Sequence, residues 1–135
     1  MVGRTRSLLS PVRLALGLDA GCELAGALVL SLASGRVADL FNVDSAYVWL
    51  AAAVFLLAAI GVASVALIDI ESRELVWALA AGNIFAGIAG WLVFAAFRDE
   101  LDPGGRWLLT AAADTFIVIG LLEFLALRRT PPAPD

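Results

Sequence analysis

The sequence predicts an all-α membrane protein, a bundle of four transmembrane helices. Three observations predict it. Hydrophobic residues make up 61% of the 135 and charged residues only 16%, too few polar groups to cover the surface of a soluble domain. Mean hydropathy is +0.92. The apolar residues also gather into four stretches of about 20 residues each, while most of the charges fall in the breaks between them. At about 1.5 Å rise per residue such a stretch spans a hydrocarbon core of about 30 Å. Helix is the state open to an isolated segment in lipid, because each backbone N–H and C=O must find its partner within the segment.

The first stretch covers about 14–33. Arg4, Arg6 and Arg13 make a basic start, and Ser31-Leu32-Ala33 resembles a cleavage site, but Asp19 and Glu23 interrupt what a signal peptide keeps uncharged. Asp19-Ala20-Gly21-Cys22 likewise departs from a lipoprotein box in placing an acid where an apolar residue belongs. The segment is therefore expected to remain as a helix. A polar loop follows, with Ser34, Gly35, Arg36, Asp39, Asn42 and Asp44. The second stretch covers about 46–68 and ends in the charged turn Asp69 to Glu74. The third covers about 75–97. Arg98 to Arg106, with Pro103, Gly104 and Gly105, supplies the next turn. The fourth stretch covers about 107–127. One domain is expected over 1–129, with a disordered, proline-rich tail over 130–135.

With four spans, both termini and the 69–74 turn share one side of the membrane. That side holds six arginines (Arg4, Arg6, Arg13, Arg73, Arg128, Arg129) against three on the other (Arg36, Arg98, Arg106). The bias predicts cytoplasmic termini in a bacterial inner membrane. Tyr47, Trp49 and Trp107 then form an outer aromatic belt and Trp77 an inner one.

Composition also excludes. The formal charge of −4 leaves no basic stripe for a nucleic-acid partner. The chain has no histidine, which removes the usual haem ligand, His-bearing triads and zincin-type sites. No cofactor is expected. Cys22, the single cysteine, reads as a small packing residue, and Trp91, Phe94 and Phe97 as lipid-facing or core aromatics.

The polar residues within the spans are the candidate site: Glu23, Asp19, Asp114, Asn83 and Glu123. An ionised carboxylate at the bilayer centre costs roughly 2.5–3.5 kcal/mol on insertion scales, so such groups are functional or paired. Asp19 and Glu23 are four apart and share a helix face. Carboxylates one turn apart repel, an arrangement suited to sharing a proton or a cation. Asp114 and Glu123 are nine apart. Nine steps of about 100° turn them to nearly opposite sides of their helix. Asp19, Glu23 and Glu123 meet if the first and fourth spans are neighbours, whereas Asp114 matches Asn83 in depth.

Blander roles stand beside these. Asp19 can reach the interface and pair with Arg13, Arg73 or Arg128, and Glu123 can pair with Arg129 or Arg73. Asp114 can bond to Asn83 or Thr110. Asn83 alone is packing glue. A hard-cation site of Asp19, Glu23 and Asp114 is possible on ligand type.

Two resemblances follow from the placed residues. Leu18-Asp19-Ala20, Ala38 to Phe41 and Asn83 within Ala81-Gly82-Asn83 resemble small bacterial four-helix membrane proteins of uncharacterised activity, which implies fold and location only. Cys22-Glu23-Leu24-Ala25-Gly26 followed by Ser34-Gly35 resembles the first helix of the small multidrug resistance transporters, which implies a proton- and cation-binding role for Glu23. The chain departs from that family in having Tyr47 at the edge of the second span, only Trp77 and Gly82 of its third-helix motif, and two acids in the fourth span. The reading is a small membrane protein without enzymatic chemistry, a structural or partner-binding subunit. The alternative is a proton-coupled transporter or small-ligand-binding bundle using the intramembrane carboxylates. The partners expected are the lipid bilayer and either a second copy, as a homo-dimer, or another membrane protein.

Overall fold

The computed structural model describes residues 10–67 and 72–129. These described residues form five helices: α1 (Pro11–Leu32), α2 (Ser34–Phe41), α3 (Ser45–Leu67), α4 (Arg73–Phe97) and α5 (Pro103–Arg129). Four of them, α1, α3, α4 and α5, are long and apolar enough to cross a membrane. The predicted fold class is the observed one. The expected tail at 130–135, Arg4, Arg6 and residues 69–71 of the 69–74 turn lie outside the described residues.

Local chemistry sets the boundaries. α1 begins three residues earlier than the hydropathy suggests because Ser10 caps it, accepting from Arg13 N at 3.3 Å, with Pro11 at the first helical position. Ser72 caps α4 in the same way through Leu75 N at 3.2 Å. Asp102 accepts from Gly104 N at 2.8 Å ahead of α5, which therefore starts at Pro103 and not at Trp107. α2 is the element expected to be a loop. Val37 and Ala38 are buried against Val48, with Leu30, Phe41 and Leu108 around them. Its polar Arg36 and Asp39 face outward. Asn42 ends it in the left-handed region at φ 52°, where asparagine is better tolerated than most residues.

The helices pack as two pairs. α1 lies along α3 and α4 along α5, and α1 against α5 joins the pairs. The α4–α5 contact is close because glycines remove side chains from the seam. A Cβ on Gly120 would lie 2.6 Å from the Ala80 carbonyl oxygen, and one on Gly87 would strike Ile117. Gly26 does the same for α1 and α3, giving its space to the Phe55 ring.

Most large apolar side chains point outward, among them Leu57, Phe85, Leu92 and Trp107. Tyr47, Trp49 and Trp77 are also exposed, near helix ends. Such an outer surface suits lipid. Two clusters of buried apolar residues plug the ends of the bundle. Leu16, Val62, Val76 and Leu127 close the end that carries the termini. The α2 cluster closes the other end.

Candidate functional site

The inward stripes of three helices carry polar residues where packing alone would place apolar ones. The buried positions of α1 are Ala15, Leu16, Asp19, Glu23 and Ala27; those of α4 are Val76, Ala80, Asn83 and Gly87. In α5, Gly120, Glu123 and Leu127 continue the same three-and-four spacing. Helical periodicity therefore brings Asp19, Glu23, Asn83 and Glu123 to the centre of the bundle.

There the Asn83 amide joins two helices to its own. Its Nδ2 donates to Asp19 Oδ2 at 2.9 Å and to Glu123 Oε2 at 3.1 Å. The two acceptor oxygens are thus no farther apart than the two bonds laid end to end. Asp19 is 1% exposed and Glu123 fully buried. Glu23, also buried, stands one turn along α1. Asp19 Oδ1, Glu23 Oε2 and Glu123 Oε1 are buried without a hydrogen-bond partner among the described residues. Ionised carboxylates buried side by side repel, and a shared proton or cation relieves the repulsion.

Beside the cluster lies a cavity of about 170 Å³. Asp19, Cys22, Glu23 and Gly26 of α1 line one wall and Ala112, Thr115, Phe116 and Ile119 of α5 the other. Phe55 of α3 completes it, its ring 5.7 Å from that of Phe116. Cys22 and Thr115 are exposed, so the cavity opens sideways between helices. The plug formed by Leu16, Val76 and Leu127 lies one to two turns beyond the carboxylates, towards the termini.

Several sequence expectations change. Asp19 and Glu123 are not interfacial: each accepts from Asn83. Arg128, expected as a partner for Asp19, lies over the Phe124 ring at 5.6 Å. Asn83 is the bridge of the cluster, more than packing glue. Asp114 bonds neither to Asn83 nor to Thr110. Its Oδ1 accepts from Trp91 Nε1 at 2.9 Å on the exposed face of the bundle. It cannot join a cation site with Asp19 and Glu23, and no group of three or more such ligands is arranged for a metal among the described residues. Cys22 lines the cavity and does not pack a core.

Sequence reasoning missed Phe55, Phe116 and Thr115. Gly26, whose missing side chain leaves space that the Phe55 ring fills, is the signal that could have pointed to it.

Four apolar spans around a buried polar centre define the class: a multi-pass helical membrane protein. Comparison with protein-family models, curated proteins and solved structures finds no match to this chain.

Proposed function

We propose that the protein is a proton-linked transporter or ligand-binding bundle, in which the carboxylates around Asn83 exchange a proton for a lipophilic cation admitted through the adjoining cavity. The observation that carries this reading is the meeting of two buried acids, Asp19 and Glu123, on one amide with a third, Glu23, one turn along α1, each keeping one oxygen without a partner among the described residues. A bundle that needed only stability would fill these seam positions with apolar side chains, since buried ionic groups seldom improve stability over them. Apolar clusters flank the centre at both ends of the bundle, as a site that must not leak protons along the bundle axis requires. The arginine distribution supports a seat in a bacterial inner membrane with both termini in the cytoplasm. A second reading, a partner-binding subunit, is favoured by Asp114 on the outer face.

The test uses the protein in nanodiscs with tetraphenylphosphonium as the probe cation. Binding should release protons into weakly buffered solution and slow maleimide labelling of Cys22, the only cysteine. Glu23→Gln should abolish both effects while leaving the bundle folded. Probe binding without proton release, or release that survives Glu23→Gln, contradicts the proposal.

A further inference from the structure

The outer face of the α4–α5 pair carries an acid that the central cluster does not use. Asp114 lies roughly 16 Å along α5 from its start, near the middle of that span. Its side chain is exposed, and the indole that binds it, Trp91, is 39% exposed. Val118 and Leu122, both exposed at one-turn steps along α5 from Asp114, continue that face as apolar surface. A carboxylate facing hydrocarbon at this depth calls for a polar cover. Trp91 has one donor and satisfies only Oδ1.

Charge decides what kind of cover fits. Among its described residues a second copy of this chain offers no cation at that depth. Its basic residues are all arginines. Of those described, Arg13, Arg73 and Arg106 lie in first turns, Arg98 just past α4, Arg128 and Arg129 at the end of α5, and Arg36 on α2. A symmetric contact would set Asp114 against its own twin or against apolar surface. We infer that the Trp91–Asp114 face docks a transmembrane helix of a different membrane protein, one that carries a lysine or arginine at mid-span. Asp114 pairs with the cation, and the exposed indole covers its aliphatic stem and attracts its charge.

The full chain, reconstituted in phosphatidylcholine vesicles, tests this with three synthetic Leu/Ala transmembrane peptides carrying lysine, glutamine or leucine at mid-span. Energy transfer from the protein's tryptophans to a dansyl group on the peptide reads association. The lysine peptide should associate roughly three- to tenfold more tightly than the leucine peptide. Asp114→Asn, which keeps the acceptor for Trp91 and removes the charge, should erase that preference. The wild-type comparison among peptides stands even if the variant misfolds. Equal association of lysine and leucine peptides overturns the inference. So does a glutamine peptide that matches lysine, because hydrogen bonding and not charge would then be selecting. Self-association of differently labelled copies that is lost in Asp114→Asn assigns the face to a second copy and overturns it too.

Discussion

Asn83 holds the centre through a single nitrogen, and its two hydrogens are committed to acids on two other helices. Asn83→Ala removes both bonds and leaves Asp19 and Glu123 buried without a donor, which should destabilise the bundle by about 1–3 kcal/mol. Thermal unfolding in mild detergent measures it. Adding Asp19→Asn restores an amide beside Glu123, so the double variant should recover part of the loss; strict additivity would show that the two residues are not coupled. The candidate residues were legible one at a time, because an acid or amide inside an apolar run stands out against its neighbours. The opposition of Asp114 and Glu123 was legible too, from their nine-residue separation: Glu123 is fully buried and Asp114 exposed. Their partners were not. Trp91 and Asp114 are 23 residues apart, and which indole meets which carboxylate depends on the α4–α5 register, set by packing that composition does not encode.

At the scale of the element, the spans were legible because hydropathy over 20 residues integrates a strong signal. α2 was not, because its eight residues include Gly35, Arg36 and Asp39 and become helical by docking Val37 and Ala38 onto Val48. The α4–α5 seam yields a contrast between glycines. Gly120→Ala places a methyl group against the Ala80 carbonyl and Ile84, and should cost about 1–3 kcal/mol by overpacking. Gly82→Ala, on the same hairpin, meets nothing within 4 Å and should be neutral or slightly stabilising, since alanine favours helix. Unfolding of the two variants side by side checks the seam. Equal effects would mean that α4 and α5 are not as close as described.

For the whole molecule, four spans place Ser72 at the opposite end of the bundle from Asn42 and Gly104. In a variant with Cys22 replaced by alanine, cysteines at Asn42 or Gly104 should react with an impermeant maleimide from outside the cell, and one at Ser72 should not. Reaction at Ser72 reverses the proposed orientation. The central claim is that the acids around Asn83 share a proton that a cation displaces. Infrared difference spectroscopy of the protein in ether lipid, which has no ester carbonyl, reads this most directly, through the high-frequency C=O stretch that among protein groups marks a protonated carboxyl. A protonated-carboxyl band is expected at neutral pH, diminished on adding tetraphenylphosphonium and altered in Glu23→Gln. A spectrum with no such band, or a band indifferent to both the cation and the substitution, would contradict it.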